Sequence, residues 1–348
     1  MIRFNCDYSE GAHPKVLQKL IETNMEQTAG YGVDPYCLKA AQLIKSKCSR
    51  EDIDVHFLVG GTQTNLTVIS AALRPHQGVI SADTGHINTH ETGAIEANGH
   101  KVLALPAVNG KLTAGAIQAY YKAHYNDETR EHIVQPKLVY ISNPTEIGTI
   151  YTKAELTAIS EVCKKNDLFL FLDGARLGYA LCAEDNDLDL PTIAGLCDAF
   201  YIGGTKLGAL FGEAVVLCND GIRKDFRYII KQKGGMLAKG RLLGVQFAAL
   251  FEEDLYFEVA SHANKMALMI KEAFRRNGYS FLVESTTNQQ FPIVPDHILM
   301  KLKENFEYSF WEKVNDNSSA VRFCTSWATD LEAVKLLVEE IDKQGKIA

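Results

Sequence analysis

The sequence predicts an α/β protein with a mostly parallel seven-stranded sheet in a large domain and a small C-terminal α+β domain. Seven short apolar runs lie between residues 55 and 219, stretches with helical spacing separate most of them, and the pattern changes after about residue 235. Such alternation is typical of βαβ units, whose parallel strands are covered on both faces. We therefore expect a large domain with an N-terminal arm over residues 1–235, and a connecting helix and small domain over residues 236–348.

The elements of the large domain follow in chain order. Residues 1–54 are expected to form an irregular arm followed by helices. Helices are also expected at 63–74 and 153–166, where apolar residues recur at a spacing of three and four. The last two apolar runs are too close for a crossover helix, so one of them is expected to pair antiparallel. The predicted strands are VHFLVGG (55–61), GVISAD (78–83), HKVLALPA (100–107), KLVYISNP (137–144), LFLFLDGA (168–175), AFYIGGTK (199–206) and AVVLCN (214–219).

The C-terminal part has fewer apolar runs and more amphipathic helical patterns. A connecting helix is expected at 234–253, and the remaining pattern predicts a small α+β domain. Its predicted helices cover 264–278, 298–306 and 330–344, and its predicted strands cover 288–295 and 321–327.

Composition and charge favour a small-molecule role. Of the 348 residues 46% are hydrophobic and 23% are charged, and the net charge is −7. A negative charge without a local run of Lys or Arg argues against a nucleic-acid or membrane partner. The N-terminal residues lack the apolar run of a signal peptide, and no stretch approaches the ~18 apolar residues of a membrane span, so we expect a cytoplasmic protein. The eight cysteines include no C-x-x-C pair and are expected to be reduced thiols.

In an open parallel sheet, ligands bind beyond the carboxyl ends of the strands, so the residues there are the candidates for a site. VGGTQTN places Gly61, Thr62 and Gln63 where a strand leads into a helix, whose free N–H groups suit a phosphate; an ordinary βα turn fits the same residues. LFLFLDGAR ends its strand on Asp173, which suits a buried cation such as a protonated ring nitrogen. The alternative is that Asp173 caps the next helix, with Arg176 as its partner.

Two further strand ends carry a histidine pair and a lysine. His86 and His90 stand four residues apart, but H-x-x-x-H-E is not the order of a zinc motif and no cysteine is near, so we expect no metal. A stacked ring and a buried imidazole bonded to a carbonyl are the alternatives for these histidines. Lys206, in YIGGTKLG, is either a surface lysine with an apolar stem or an amine whose pKa is lowered in a poorly hydrated pocket, where it is able to form a Schiff base.

Together these strand ends match the needs of one molecule, pyridoxal 5′-phosphate. It has a phosphate to bind, a pyridine nitrogen to keep protonated, a ring face to stack against and an aldehyde to bond to a lysine. We therefore expect this cofactor.

The segments GGTQTNL, LDGAR and GGTK, with the His86 segment after the first, resemble those of the low-specificity threonine aldolases. These belong to a β-eliminating-lyase-like group with the aspartate-aminotransferase fold, known as fold type I. VRFCTSWATD is similar to the family's substrate-arginine segment, so the resemblance covers nearly the whole chain. It implies a homodimer or homotetramer with shared active sites.

The resemblance also implies a role for each matching residue. Lys206 would bond the cofactor, Asp173 would pair with its ring nitrogen and His86 would stack on its ring. Arg176 would lie near the cofactor's phenolic oxygen and the substrate carboxylate. Arg322, Cys6 and Tyr31 would contact the substrate, with Tyr31 entering from a neighbouring subunit. The residues expected at the phosphate are Gly61, Thr62, Gln63 and Thr205.

The chain departs from the family pattern at three places. SNPTEIG places Glu146 where many members carry a histidine. Residues 6–8 read CDY where the family has S-D-T, so Cys6 takes the place of a serine. GGML at 234–237 lacks the arginine of a G-G-G-M-R-Q loop, a charge that Lys231 or Lys233 is able to supply.

The resemblance implies a lyase that cleaves the Cα–Cβ bond of L-threonine or L-allo-threonine to glycine and an aldehyde. The base that takes the β-hydroxyl proton would be Glu146, His86, His90 or a water held by them. The alternatives are a β-eliminating lyase or aminotransferase acting on another amino acid, because one cofactor cage supports several reactions. A non-catalytic cofactor-binding protein is a further alternative, and the lack of G-x-G-x-x-G argues against a dinucleotide-dependent oxidoreductase.

Overall fold

The structure is a computed structural model and describes residues 1–345. The strands are β1 (Ile2–Arg3), β2 (Asp54–Leu58), β3 (Gln77–Ala82), β4 (Val102–Leu105), β5 (Gln135–Ser142), β6 (Phe169–Asp173), β7 (Ala199–Gly203), β8 (Glu213–Leu217), β9 (Gln289–Gln290), β10 (Ile293–Pro295), β11 (Phe306–Glu307), β12 (Ser309–Asn315) and β13 (Ser318–Cys324).

The helices alternate with the strands of the first two hundred residues and become longer after them. They are α1 (Pro14–Thr23), α2 (Pro35–Lys47), α3 (Gly61–Ala72), α4 (His86–Thr89), α5 (Ala94–Ala97), α6 (Ala114–Asn126), α7 (Lys153–Lys165), α8 (Leu177–Leu181), α9 (Leu190–Leu196), α10 (Asp220–Arg223), α11 (Phe226–Gln232), α12 (Arg241–Phe251), α13 (Leu255–Arg276), α14 (Asp296–Leu302) and α15 (Leu331–Gly345), with a 3-10 turn at Arg130–His132.

A seven-stranded sheet confirms the predicted centre of the molecule. Its strand order is β2-β8-β7-β6-β5-β3-β4, and β3 to β7 run parallel. The expected antiparallel strand is β8, which pairs in that direction with both β7 and β2. The carboxyl ends of β3, β5, β6 and β7 therefore meet at one edge of the sheet, where ligands of such sheets bind.

The sheet is covered on both faces, as its apolar runs predict. On β5, Val139 and Ile141 face one hydrophobic cluster while Leu138 and Tyr140 face the other, because successive side chains of a strand point to opposite faces. Helices cover both faces, so apolar residues are needed at nearly every strand position.

The C-terminal part forms a smaller antiparallel sheet in which β13 pairs with β9, β10 and β12. A third pairing joins β1 to β11 in parallel, so the start of the chain lies against its C-terminal part. The domain boundary expected between residues 235 and 236 stays a prediction.

Three expectations for the C-terminal part need correction. The connecting helix begins only at Arg241, after the GGMLAKG segment, and α13 begins at Leu255 rather than 264. The helix expected over 298–306 is α14, which already ends at Leu302, and Phe306 belongs to β11. The strand β12 was not predicted, because its side chains alternate weakly and are mostly exposed. Within residues 1–345, no helix is long and apolar enough to cross a membrane.

Candidate active site

Lys206 follows the carboxyl end of β7, and the turn that carries it touches the turn after β6. The N–H of Gly203 donates to the carbonyl of Gly174 at 2.9 Å. A Cβ on Gly174 would lie 1.9 Å from the carbonyl oxygen of Tyr201, and one on Gly203 would lie 2.3 Å from that of Ala175. The glycines of LDGAR and GGTK therefore let the two strand ends meet, which places Lys206 beside the residues that follow β6.

Lys206 lines a cavity of about 230 Å³ at this edge of the sheet. Burial lowers the pKa of its ammonium, and the nearby charge of Arg176 adds to that effect. A lowered pKa increases the fraction of neutral, nucleophilic amine. The cavity is also lined by further residues that the sequence predicted for the site, namely Gly61, Thr62, His86, Glu146, Asp173, Arg176 and Thr205.

Asp173 is the last residue of β6, and four donors hold its buried carboxylate. Oδ1 accepts from the hydroxyl of Tyr201 at 2.6 Å and from the N–H of Ala175 at 3.0 Å. Oδ2 accepts from the hydroxyl of Tyr140 at 2.5 Å and from Nδ2 of Asn65 at 3.2 Å. The carboxylate is thus fixed at the wall of the cavity in one orientation.

The charge on Asp173 is maintained despite its burial. Burial alone would raise its pKa, but the charge of His86 and the hydrogen bonds from Tyr140 and Tyr201 outweigh burial and lower the pKa below its ordinary value. Asp173 is therefore ionised at neutral pH and is suited to hold a protonated ring nitrogen.

His86 begins α4, and a buried carboxylate fixes its ring. Its Nδ1 lies 2.8 Å from Oε1 of Glu91, and the same oxygen accepts from Asn65 at 2.7 Å. Since Asn65 also donates to Asp173, one amide links the two acidic groups. Burial would lower the pKa of His86, but the hydrogen bond to Glu91 and the charge of Asp173 raise it above its ordinary value.

Glu146 follows β5 and lines the same cavity as Lys206. Its Oε1 accepts from the Ser142 hydroxyl at 2.7 Å and from the N–H of His86 at 2.9 Å. Burial raises the pKa of Glu146 above its ordinary value, although these hydrogen bonds oppose the shift. A carboxylate with a raised pKa at the wall of a cavity is suited to take up and return a proton.

Arg176 is held in place by Asp7, from the N-terminal arm. Nε and Nη2 of Arg176 donate to the two oxygens of Asp7 at 2.7 and 2.9 Å, and Asn288 donates to Asp7 at 2.9 Å. Burial alone would raise the pKa of Asp7, but the charges of Arg176 and Lys206 and the hydrogen bonds from Arg176 and Asn288 together lower the pKa to about 2. The bidentate pair fixes the guanidinium plane and, within residues 1–345, leaves Nη1 without a protein partner.

The glycine turn before α3 forms the other end of the cavity. Gly60 stands at the N-cap without a side-chain hydrogen bond to the helix, so the N–H groups of Gly61 and Thr62 remain for a ligand. Thr205 also lines this space, but its hydroxyl donates to Oε1 of Glu213 at 3.2 Å.

Five residues expected at the site do not line the cavity. Gln63 accepts from the N–H of Val59 and donates to the carbonyl of Lys233, so it braces the turn. His90 is exposed with its ring centroid 5.6 Å from that of His86, and Cys6 lies 3.2 Å from the Ser9 hydroxyl. The remaining two are Arg322 and Tyr31.

Arg322 lies on β13, in the small sheet. It donates to the side chain of Gln289 at 3.3 Å and to the carbonyl of Asn5 at 2.9 Å, while its buried Nε has no partner among residues 1–345. Its charge acts on His90, whose pKa is lowered by burial, by His86 and by Arg322.

Tyr31 is half exposed and lines a separate cavity of about 70 Å³. The ammonium of Lys231 lies 5.0 Å from its ring centroid, and Arg227 donates to its carbonyl at 3.0 Å. Lys233 bonds the side chain of Asn98 instead. Neither of the two lysines considered for the missing loop arginine therefore lines the cavity that holds Lys206.

Sequence reasoning assigned no role to Tyr140, Tyr201 or Glu91. The sequence does indicate a role for the two tyrosines. Each lies within an apolar strand next to the strand of Asp173, and a buried tyrosine hydroxyl needs a hydrogen-bond partner. The register places Tyr140 opposite Phe171, two residues before Asp173. Glu91 lies five residues after its partner His86, and its other partner, Asn65, is on α3.

The donor set fits pyridoxal 5′-phosphate. An ionised aspartate, a buried lysine of lowered pKa, an uncapped helix N-terminus and an oriented imidazole share one cavity. These groups match the cofactor's ring nitrogen, aldehyde, phosphate and ring face. Within residues 1–345, no group of three or more His, Cys, Asp or Glu side chains is arranged to hold a metal ion.

The chain is similar to proteins of a known family. The profile of the beta-eliminating lyase family matches residues 7–296. The chain is 30% identical to a low specificity L-threonine aldolase of Pseudomonas aeruginosa over 344 residues, which cover 97% of this chain and 96% of that protein. It is 27% identical to the Escherichia coli O157:H7 enzyme of the same name over 238 residues, or 66% of this chain and 68% of that one.

The fold of the chain is also similar to that of solved structures. A Leishmania major threonine aldolase superposes with a TM-score of 0.96 at 48% identity, covering 99% of this chain and 100% of the other. An aspartate aminotransferase of Thermus thermophilus superposes with a TM-score of 0.69 at 14% identity, covering 99% and 91%. The expected fold type I is therefore confirmed.

Proposed function

The chain belongs to the beta-eliminating lyase family, and we propose that it cleaves the Cα–Cβ bond of L-threonine and L-allo-threonine to glycine and acetaldehyde. Enzymes of this family and fold depend on pyridoxal 5′-phosphate, so the protein is a lyase with this cofactor. The observation that carries the proposal is the single cavity that joins Lys206, Asp173, His86 and Arg176.

The bound cofactor withdraws electrons from Cα of the amino acid and so weakens the bonds to that atom. Lys206 would bond the cofactor's aldehyde carbon, and Asp173 would hold the ring nitrogen protonated. The N–H groups of Gly61 and Thr62 would bind the phosphate, and the ring of His86 would cover one face of the cofactor.

Arg176 would bind the substrate carboxylate. Asp7 already occupies Nε and Nη2, so Nη1 is the group available to a ligand. This arrangement orients the substrate without leaving a free cation in a buried site, since Asp7 balances the charge. Arg322, on β13, would contribute a second, more distant positive charge.

Glu146 is the group we propose to take the β-hydroxyl proton. It lines the cavity, whereas His90 is exposed outside it, and His86 already shares its Nδ1 with Glu91. Its hydrogen bonds from Ser142 and from the N–H of His86 hold Oε1, which leaves Oε2 for the substrate.

The substrate assignment is tested with a panel of amino acids. Purified protein loaded with the cofactor should release acetaldehyde and glycine from L-threonine and L-allo-threonine. Pyruvate and ammonia from L-serine would instead indicate β-elimination, and keto acid formed only with an amino acceptor would indicate transamination. Release of no product from any β-hydroxy amino acid would contradict the proposal.

The variant Glu146→Gln is expected to lower kcat by about 10²-fold to 10⁴-fold, as is typical for loss of a proton-transfer group. Glu146 acts as a base only when ionised, so wild-type activity should be lost as pH falls through its raised pKa. The pH profile of kcat should lose this acidic limb in the variant. If Glu146→Gln is fully active and His90→Asn is inactive, His90 is the base.

We also propose a homodimer or homotetramer in the cytoplasm, as the sequence led us to expect. Exposed apolar side chains support association of the subunits. They lie on α1, α2 and α12 or in the segments between these helices, and they are Leu17, Ile21, Met25, Val33, Leu38 and Leu242. Tyr31 lies in the same region, half exposed, which suits a residue that completes a neighbour's site. Light scattering should give at least twice the 38.5 kDa mass of one chain.

A further inference from the structure

Glu213 is a buried carboxyl group in the cavity to which no role has yet been given. It is the first residue of β8 and is 4% exposed. The register places it opposite Gly203, where β7 leads to Lys206, and opposite Leu58, where β2 leads to the Gly60–Gly61 turn. Glu213 therefore lies between the lysine and the turn proposed to bind the phosphate.

Only one oxygen of this carboxyl group is bonded. Oε1 accepts from the hydroxyl of Thr205, which itself accepts from the N–H of Gly212 at 3.0 Å and is thereby fixed. Oε2 is buried and has no hydrogen-bond partner among residues 1–345. A buried carboxyl oxygen without a partner is unfavourable, so Oε2 marks a place where a bound group would complete the structure.

Four charged or titratable side chains face Glu213. They are Lys206 after β7, Asp173 at the end of β6, Tyr201 on β7 and Tyr256 on α13. Burial raises the pKa of Glu213 to about 8, although Lys206 opposes the shift. No salt bridge joins Glu213 to Lys206 within residues 1–345, and a raised pKa favours the protonated form of the carboxyl group.

We propose that Glu213 is a cofactor-binding residue that acts as a neutral acid: its Oε2 hydroxyl donates a hydrogen bond to the phosphate of pyridoxal 5′-phosphate, while Thr205 holds Oε1. An ionised carboxylate would repel the phosphate dianion, whereas a protonated one is a donor. Above the pKa of free Glu213, binding must therefore take up a proton from solvent. The inference rests on the cofactor orientation given under the proposed function.

The test uses pyridoxine 5′-phosphate, which has no aldehyde and cannot bond to Lys206. Its affinity is measured between pH 7 and 9.5, where its phosphate stays dianionic, for the wild type and for Glu213→Gln. The wild type should lose about tenfold in affinity per pH unit above about 8, relative to the variant, because the glutamine amide donates but does not titrate. Glu213→Ala, which has no donor, should bind about tenfold more weakly than Glu213→Gln at pH 7.

Calorimetry in two buffers of different ionisation enthalpy gives the proton count directly. At pH 8.5 the wild type should take up about three quarters of a proton more than Glu213→Gln. Pyridoxine, which lacks the phosphate, should show no such difference. This comparison of the two ligands can be made on the wild type alone, so it remains decisive even if the variant does not fold.

Identical pH profiles and proton uptake in the wild type and Glu213→Gln would overturn the inference while leaving the proposed function intact. Failure of both ligands to bind, together with failure of pyridoxal 5′-phosphate to label Lys206, would overturn the proposed site itself.

Discussion

Replacing Lys206 with alanine is expected to abolish covalent attachment of the cofactor and to lower kcat by more than about 10²-fold. Lys206 is the amine that would bond the cofactor's aldehyde carbon, and a positioned amine also transfers protons, which alone is typically worth 10²-fold or more. Borohydride reduction followed by mass spectrometry of peptides should find the cofactor on Lys206 in the wild type and on no residue in the variant.

A matched control distinguishes Lys206 from other lysines that line cavities. Lys111 lines a different cavity and pairs with Glu155 at 2.6 Å. Lys111→Ala should retain the label and the yellow colour of the loaded protein. Labelling that persists in Lys206→Ala, or a protein that stays colourless with added cofactor, would contradict the assignment.

The extent to which the fold was predictable depends on burial. Strands buried on both faces, such as β3 and β7, need apolar residues at every position, and such runs are easily found. The antiparallel β8 was predictable because few residues separate Gly203 from Glu213. By contrast, β12 is mostly exposed and is held by pairing with β13, so its own residues carry almost no periodic signal.

The candidate site was predictable where one short segment carries both the turn and the functional group. The sequences LDGAR and GGTK do so, since their glycines allow the close approach and their Asp173 and Lys206 enter the cavity. Asp7 was not predictable in this way, because it acts through a partner far away in the chain. Asp7 is 169 residues from Arg176, and a single sequence does not show that pairing.

The side-chain directions of Gln63 and Thr205 were also not predictable from the sequence. Both follow a glycine turn, and from the sequence alone their side chains could face the phosphate. In the structure Gln63 bonds the backbone of Val59 and Lys233, and the hydroxyl of Thr205 is directed to Glu213. The direction of the Gln63 side chain depends on the backbone groups of Val59 and Lys233, and that of Thr205 depends on the carboxyl group of Glu213.

Substitution of Asp173 is expected to separate the stability of the protein from its use of the cofactor. In Asp173→Ala, the hydroxyls of Tyr140 and Tyr201, Nδ2 of Asn65 and the N–H of Ala175 lose their acceptor. Buried donors without a partner cost about 1–3 kcal/mol each, and some of them will find water in the cavity. We expect the free energy of unfolding of the cofactor-free protein to fall by about 3–5 kcal/mol, measured by urea unfolding.

Asp173→Asn keeps the shape of the side chain, removes its charge and replaces one acceptor oxygen with an amide donor. The amide oxygen still accepts from one tyrosine, and the other hydroxyl is able to rotate and accept from the amide nitrogen. The loss of unfolding free energy should therefore be about half that of Asp173→Ala or less. The neutral amide does not stabilise a protonated ring nitrogen, so kcat should fall by about 10²-fold or more even though the protein folds.

Tyr201→Phe is the matched control, since it removes one donor to Asp173 and leaves the carboxylate in place. Because that hydrogen bond helps to lower the pKa of Asp173, the variant should have a higher pKa at this residue but should still be ionised at neutral pH. Its activity at pH 8 should stay within about tenfold of the wild type, while stability falls by about 1 kcal/mol. If Asp173→Asn binds the cofactor and turns over as well as Tyr201→Phe, the charge on Asp173 has no role in the reaction, and the cavity must hold the ring in another orientation.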